Sequence, residues 1–212
     1  QTIIGTPLSN EAQATSRIWT NLNQTFGYRV GSLDRKIEVN LFGGYTFANQ
    51  TSNLLNQNRI QWSMNGLQGQ QDLFLEDYNF GRSDVNGFWS QQRMDRHGQF
   101  HTGNAAGSNF YWLTTATVYA QLPIKPNVFG VFADYGMGAG VFKTMDSYYN
   151  AGLALRLGKV FGLYFPLVAG SNAGPEGNFM ANDLFTNYAQ NIRFTLRINP
   201  VNRLGLHALL NS

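Results

Sequence analysis

Residues Arg35–Asn49 read RKIEVNLFGGYTFAN and alternate strictly between two kinds of side chain. One face carries Ile37, Val39, Leu41, Gly43, Tyr45 and Phe47, and the other carries Lys36, Glu38, Asn40, Phe42, Gly44 and Thr46. Alternation with a period of two is typical of a β-strand with two different faces. The run is longer than the usual five or six residues of soluble strands. It is long enough to cross a membrane at a tilt, which takes about 9–11 residues.

The same alternation recurs along the chain. The other segments are Ser16–Val30, Asn58–Gly66, Asn109–Leu122, Asn127–Gly138, Tyr148–Leu157, Val160–Ala169 and Asn191–Asn199. Together they make an even set of strands, as closed bacterial barrels require. The sequence therefore predicts an all-β fold, a transmembrane antiparallel up-and-down β-barrel of about eight strands, or the C-terminal eight strands of a larger barrel. Residues 16–199 form the barrel in this prediction, between periplasmic segments 1–15 and 200–212.

The connections between these strands are expected to alternate between the two sides of an outer membrane. The predicted periplasmic links are Gln50–Gln57, Pro123–Pro126 and Gly158–Lys159. The predicted extracellular links are Gly31–Asp34, Leu67–Ser108, Ala139–Ser147 and Gly170–Gln190. The two longest links, 67–108 and 170–190, fall on the extracellular side, where such barrels carry their long loops. A soluble β-sandwich or a lipocalin-like barrel, with its apolar side chains inside, remains the alternative.

Composition excludes several other classes of protein. Charged residues make up 13% of the chain, about half the usual share, and no apolar run reaches the length of a transmembrane helix. The chain has no cysteine, so disulfides, thiolate metal sites and cysteine nucleophiles are excluded. A net charge of +3 is too small to indicate a nucleic-acid partner. Because the chain starts without a signal peptide, we expect a mature form or a piece of a longer protein.

Strand phasing assigns side chains to lipid or to lumen. The predicted lipid-facing residues are Ile37, Val39, Leu41, Leu155, Phe194 and Leu196. The predicted lumen residues are Lys36, Glu38, Asp134, Arg156, Arg193 and Arg197. Since unpaired buried charges are costly, we expect the lumen charges to form a network or to meet water. The large aromatic residues Trp62, Trp112 and Tyr135 are expected near the interfacial girdles.

The later strands resemble a known family. Residues 130–136, Gly-Val-Phe-Ala-Asp-Tyr-Gly, look like the Phe-x-Asp-x-Gly strand of the bacterial surface-antigen superfamily, which holds the BamA-like assembly factors. Residues 151–157 and 160–167 are similar to that family's penultimate hairpin, and 192–196 to its closing strand. The resemblance covers about 112–199 and implies an outer-membrane barrel.

The resemblance also implies a lock between a loop and the lumen. In that family a long extracellular loop, five strands before the end, folds into the barrel, and its arginine pairs with the aspartate of the Phe-x-Asp-x-Gly strand. Here the loop 67–108 precedes five strands and contains Tyr78-Asn79-Phe80-Gly81-Arg82-Ser83, an aromatic-Gly-Arg order where the family has Arg-Gly-aromatic. The implied pair is Arg82 with Asp134. The alternative is a mobile surface loop, with Asp134 paired to Arg156 or Arg193.

A subgroup of barrels fused behind zinc aminopeptidase-like domains is similar in its loop. The matching stretches are 76–82, Glu-Asp-Tyr-Asn-Phe-Gly-Arg, and 88–92, Phe-Trp-Ser-Gln-Gln. The peptidase's own His-Glu-x-x-His helix does not occur in this sequence. No peptidase activity is therefore expected of these residues.

No other motif predicts catalysis, a cofactor or a metal. His97 and His101 have i, i+4 spacing, but Gly98 between them disfavours a helix, and a solvated loop is the favoured interpretation. Residues 136–140, Gly-Met-Gly-Ala-Gly, lack the βαβ unit of a dinucleotide site. The loop acids Asp72, Glu76, Asp77 and Asp84 do not have calcium-loop spacing, and ion pairs are favoured.

Two functions remain as hypotheses. The first is a structural anchor or docking subunit in an outer-membrane complex, in contact with lipid, lipopolysaccharide and partner proteins. The second is a BamA-like barrel for insertion or translocation of proteins. A small passive pore is disfavoured, because side chains fill an eight-stranded lumen. A complete hydrogen-bond ladder between the first and last strands would favour the anchor.

Overall fold

The structure is a computed structural model, and it describes residues 3–4, 16–46, 62, 64, 88–93, 98–101, 112–139, 145–158, 160–171 and 188–196. The strands are β1 (Ile3–Ile4), β2 (Ser16–Val30), β3 (Leu33–Thr46), β4 (Trp112–Gln121), β5 (Phe129–Ala139), β6 (Met145–Leu157), β7 (Phe161–Ser171) and β8 (Arg193–Leu196). A 3₁₀ turn at Phe88–Gln91 and one helical turn at Tyr188–Asn191 are the described non-strand elements. No helix in the described part of the chain is long and apolar enough to cross a membrane.

All of these strands belong to one antiparallel sheet in which each strand pairs with its neighbour in sequence. β1 adds two residues to the edge of β2, so seven strands of four residues or more form the body of the sheet. The sheet curls into an open half-barrel with a concave and a convex face. The predicted all-β, antiparallel meander is confirmed at this level.

The β2–β3 hairpin shows how local sequence sets the register. The turn consists of two residues, Gly31 and Ser32, and Gly31 has φ +60°. A left-handed first residue is what a tight hairpin turn demands, and glycine adopts it without steric cost. The turn pairs Val30 with Leu33 and sets the ladder that continues to Arg17 and Thr46.

Alternate residues along each strand point to opposite faces. In β5, Phe132 and Asp134 are each 3% exposed, whereas Val131 is 37% and Tyr135 47% exposed. The concave face is therefore the buried one, and the phasing predicted for this strand is confirmed. The cross-strand pairs carry the same phase through the sheet: Asp134 lies opposite Asn150.

One β-bulge interrupts the alternation. Gly152 pairs with Pro166 and Ala151 pairs with Val168, so Leu167 is the extra residue of β7. A Cβ on Gly152 would lie 2.0 Å from the carbonyl oxygen of Phe165, so the strands could not approach this closely with a larger residue. The extra residue shifts the alternation of β7 side chains between the two faces by one position. Ala169, beyond the bulge, therefore lies on the buried face, with 8% exposure.

No strand lies between β3 and β4, where the sequence predicted the segment Asn58–Gly66. β3 pairs directly with β4, from Ile37–Ala120 to Tyr45–Trp112, which leaves no place for a strand between them. The two described residues of the segment, Trp62 and Met64, are both 0% exposed. The prediction of a membrane strand here is wrong, and so is the placement of Trp62 in an aromatic girdle. Alternation marks an extended segment with one apolar face, whether that face meets lipid or the inside of a sheet.

This change alters the side on which the first hairpin turn lies. The turn at 31–32 lies at the same end of the sheet as the connections at 122–128 and 158–160, because β2, β4 and β6 run in one direction. The prediction that Gly31–Asp34 faces the opposite side from Pro123–Pro126 is wrong. The connections at 47–111, 140–144 and 172–192 leave from the other end. The two longest links, 47–111 and 172–192, leave from the same end, as the sequence indicated.

The first and last strands are not neighbours within the described residues. The outer edge of β2 carries β1 at Ser16 and Arg17, and the outer edge of β8 carries a single parallel bridge from Gln92 to Phe194. The ladder proposed to distinguish an anchor from an insertion barrel is not formed in this part of the chain.

Candidate functional site

The concave face is divided by a row of polar side chains. Register places five of them side by side across β2 to β6: Asn23, Asn40, Thr117, Asp134 and Asn150. We call this set the polar row. Its four members from Asn40 onward are each at most 6% exposed. A buried polar group that lacks a hydrogen-bond partner lowers the stability of the fold. The polar row is therefore where side-chain hydrogen bonds are expected on this face.

An aromatic cluster lies on the side of the polar row nearer the long connections. It consists of Phe42, Trp62, Met64, Phe100, Leu113 and Tyr148, with Trp19 packed against it. The Trp62 ring packs edge-on against Phe42, with ring centroids 5.5 Å apart. Trp62, Met64 and Phe100 come from the connection between β3 and β4, and Phe100 N–H donates to the Met64 carbonyl at 2.8 Å. Parts of this long connection therefore fold onto the concave face.

His101 fixes the same connection to the polar row. Its backbone N–H donates to Asp134 Oδ2 at 2.6 Å, and its Nδ1 lies 2.6 Å from Asp134 Oδ1. The two side chains are 9% and 0% exposed. The contact between Nδ1 and Oδ1 gives each of the two buried side chains a hydrogen-bond partner. The His101 ring also lies 5.0 Å from the rings of both Phe132 and Tyr164.

Arg93 ties the connection to the last strand. Its backbone N–H donates to the Phe194 carbonyl at 2.6 Å. Its guanidinium donates to the carbonyls of Gln99 and Phe100 and lies 5.3 Å from the centre of the Tyr164 ring. One arginine therefore holds two of the described pieces of the connection, 88–93 and 98–101, against the sheet.

An ion pair spans the other side of the polar row. Arg156 on β6 donates to Glu38 Oε2 on β3 at 2.6 Å, across two intervening strands. The guanidinium covers the Tyr119 ring at 4.2 Å from its centre. The tyrosine can lie along the sheet because Gly130 is beside it, and a Cβ at that position would be 2.5 Å from the ring. Tyr119 forms a second buried cluster with Phe132, Ala154 and Tyr164.

The predicted lumen residues can now be placed. Glu38, Asp134 and Arg156 lie on the concave face, and register puts Arg193 opposite Tyr164 on the same face. Lys36 is in phase with Glu38 but is exposed near the end of β3. Arg82 and Arg197 lie outside the described residues, so the predicted Arg82–Asp134 pair stays a prediction.

Sequence reasoning missed His101, which it assigned to a solvated loop. The residue is 7% exposed and holds Asp134, so that interpretation is wrong for His101; His97 lies outside the described residues. Spacing to another ligand was the wrong signal. The signal that the sequence did offer was a histidine directly after an apolar residue, in a connection expected to fold inward.

The predicted lipid-facing residues lie on the convex face by register, with one correction. Phe194 is only 2% exposed. Phe88 stacks on it with ring centroids 4.9 Å apart, and Trp89 packs against its edge at 6.0 Å. The 88–93 segment covers Phe194, so this ring does not reach lipid. Strand periodicity cannot detect a cover supplied by a distant segment.

Comparison with protein-family models, curated proteins and solved structures finds no match to this chain. Within the described residues, no three histidine, aspartate or glutamate side chains are grouped as a metal site would require.

Proposed function

We propose that this chain forms the wall of an outer-membrane β-barrel and serves as a structural anchor or docking subunit for partner proteins. The observation that carries the proposal is the chemistry of the convex face, which is apolar and uncovered over most of its area. The exposed large apolar residues on β2 to β7 are Ile18, Leu22, Phe26, Val30, Leu41, Tyr45, Phe129, Val131, Tyr135, Met145, Tyr149, Leu153, Leu157, Leu167 and Val168.

Charge is almost absent from this face. Among the described strand residues whose register puts them on the convex side, only Arg35 is charged. Arg35 is 2% exposed. Its guanidinium donates to the carbonyls of Asp34, Leu122 and Ile124, at the end of the sheet that carries the turn at 31–32. Soluble monomers rarely expose apolar patches of more than a few hundred Å², so this face calls for lipid or a covering protein.

The length of the apolar run supports lipid. Ile37 to Tyr45 on the convex face of β3 spans nine residues, and a tilted strand needs about 9–11 residues to cross the hydrocarbon core. Outer-membrane barrels carry aromatic girdles at the edges of their apolar band. Near the long connections, Tyr45 lies opposite Trp112 and Tyr135 lies opposite Tyr149, which suits such a girdle.

Occupation of the concave face supports an anchor rather than a pore. Trp62, Met64 and Phe100 are each 0% exposed, and His101 is held by Asp134. These side chains take up the space along the sheet through which a solute would pass. The second candidate is a BamA-like insertion or translocation barrel. It is favoured by the edge of β8, which within the described residues carries one bridge, from Gln92, in place of a full ladder.

Cysteine labelling tests the membrane proposal cleanly because the natural chain has no cysteine. Single-cysteine variants Leu41→Cys and Leu153→Cys place a bimane label on the convex face, and Asn23→Cys and Thr25→Cys serve as matched controls on the concave side of β2. In reconstituted vesicles, quenchers on the lipid chains should reduce fluorescence only at positions 41 and 153. Quenching of those two labels by aqueous iodide alone would refute the membrane proposal, as would a monodisperse monomer in detergent-free buffer.

Depletion in the host cell separates the two functional candidates. Loss of an insertion barrel should lower the amounts of many unrelated outer-membrane barrels. Loss of an anchor should release only the proteins that cross-link to this chain, with other barrels unchanged. A general loss of barrels would therefore overturn the anchor in favour of the second candidate.

A further inference from the structure

The outer edge of β8 is covered by residues 88–93, which we call the edge cap. Gln92 lies beside Phe194 in a parallel bridge, at the position where a further strand of the sheet would pair. The Arg93 backbone N–H donates to the Phe194 carbonyl at 2.6 Å. Residues along an edge strand present their backbone groups alternately to the sheet and to the outside, so this bond marks Phe194 as an outward-facing position. The edge cap therefore occupies a strand-pairing site.

The edge cap contacts both faces of the sheet. On the convex side, the Phe88 ring stacks on Phe194 with ring centroids 4.9 Å apart, and the Trp89 ring packs against the same ring at 6.0 Å. On the concave side, the Arg93 guanidinium lies 5.3 Å from the centre of the Tyr164 ring. The cap therefore reaches around the end of the sheet, and a strand that pairs with β8 must first displace it.

The attachment of the edge cap to β8 is slight compared with strand pairing elsewhere in the sheet. Within the described residues the cap bridges β8 at one position, whereas β3 and β4 pair over nine positions. Phe88 and Trp89 are 60% and 46% exposed, so little of their surface is buried by the contact. Segments with few buried contacts and few backbone hydrogen bonds open before the rest of a fold. The cap can therefore open while the sheet stays intact.

We propose that the edge cap is a displaceable latch, which keeps the outer edge of β8 from pairing with a second copy of the chain. An uncovered edge strand is a template for pairing, and folded proteins block such edges with loops. A second copy is the partner that the edge itself specifies, because two β8 strands that meet antiparallel satisfy each other's outward backbone groups. The inference rests on the geometry of the edge and holds whether the convex face contacts lipid or water.

A disulfide can lock the latch, because the natural chain has no cysteine. The double variant Gln92→Cys, Phe194→Cys places two thiols on paired segments, which lie about 4.8 Å apart, within the Cα separation of about 4.4–6.8 Å that a disulfide requires. We expect mild oxidation of the dilute protein to form the bond within one chain. In the control pair Gln92→Cys, Leu163→Cys, the second thiol lies on the far side of β8, and no bond should form. Equal cross-linking of the two pairs, or none in the first, overturns the proposal.

The oxidised and reduced forms of the first double variant then test the latch itself. Reduction removes the covalent bond, and the Phe194→Cys substitution has already removed the ring stack, so the cap is free to leave β8. In micelles at high protein concentration, the reduced form should associate into dimers or larger species, as measured by light scattering after size-exclusion chromatography. The oxidised form and the natural chain with the same reductant should stay monomeric. An equal mass for the oxidised and reduced forms overturns the proposal.

Hydrogen exchange measures the opening of the latch in the natural chain. The Arg93 amide should exchange through local opening, about 100-fold faster than the Phe132 amide at the centre of the sheet. Phe88→Ala removes the ring stack and should accelerate Arg93 exchange by about three- to tenfold, as expected for the loss of one aromatic pair. Phe129→Ala, the same substitution elsewhere on the convex face, should leave the Arg93 rate unchanged. Equal exchange of Arg93 and Phe132 would mean that the cap opens only with the whole sheet and would overturn the proposal, as would an unchanged Arg93 rate in Phe88→Ala.

Discussion

The pair formed by His101 and Asp134 is the contact most open to a quantitative test. It joins the connection 47–111 to the centre of the sheet through two hydrogen bonds, each 2.6 Å long. His101→Ala removes the imidazole and leaves the backbone N–H on Asp134 Oδ2. Asp134→Ala removes the acceptor of both bonds and leaves two buried donors. The double variant completes a thermodynamic cycle that isolates the bond from imidazole to carboxylate.

The size of the effect follows from burial. Breaking a buried pair by removal of one partner typically costs about 3–5 kcal/mol, and the Asp134 side chain is 0% exposed. We expect each single variant to lower the free energy of unfolding by about that amount. A hydrogen bond to a charged group contributes about 1.5–3 kcal/mol, so the coupling energy of the cycle should be about 2 kcal/mol. The Arg29–Asp34 pair, 3.7 Å long with side chains 71% and 85% exposed, is the control and should couple by less than about 1 kcal/mol.

Urea unfolding in micelles, followed by tryptophan fluorescence, measures these energies. Trp19 and Trp62 lie in the concave cluster and will report its loss. Limited proteolysis provides a second measurement, since His101→Ala should expose the connection to cleavage while the strands stay intact. A coupling energy under about 0.5 kcal/mol, the scatter expected of independent sites, would refute the assigned role of the pair. Equal protease resistance in both proteins would refute the idea that it holds the connection.

Three further predictions concern the sheet itself. Gly130→Ala should destabilise the fold by about 1–3 kcal/mol in urea unfolding, because its Cβ would overlap the Tyr119 ring. The control Gly27→Ala, whose Cβ would have nothing within 4 Å, should instead stabilise the fold by about 0.5 kcal/mol. Equal effects of the two substitutions would contradict the packing described. In vesicles, Leu153→Arg should lower the free energy of unfolding by about 2–4 kcal/mol if the convex face lies in lipid. The control Thr25→Arg on the concave side should lower it by less than about 1 kcal/mol. The two substitutions should have the same effect if the convex face meets water. Glu38→Gln should cost only about 1 kcal/mol, because the carboxylate is 43% exposed, and a loss above about 3 kcal/mol would show a fully buried pair.

Strand periodicity was the strongest information in the sequence. In β3, β5 and β6 the predicted faces match the register, because each side chain alternates regardless of what covers it. The turn glycines Gly31 and Gly158, with φ +60° and +61°, likewise have a local cause that a sequence displays. The concave positions of Glu38, Asp134 and Arg156 follow from the same counting.

Local pattern was insufficient wherever a distant segment decides the environment. Trp62 alternates like a membrane-strand residue but packs inside the sheet, and Phe194 alternates like a lipid-facing residue but is covered by Phe88. Lipid and the inside of a protein both favour an apolar side chain, so the hydrophobicity of a residue cannot show which of the two it contacts.

The sequence also did not predict which charged groups pair with each other. Glu38 and Arg156 are 118 residues apart, and His101 and Asp134 are 33 apart. Sequence alone determined that the strand residues Glu38, Asp134 and Arg156 point to the polar face, since a period of two fixes the side of the sheet. Which charges meet was decided only by the curl of the sheet and by the path of the connection between β3 and β4, because an ion pair depends on distance in space and not on separation along the chain.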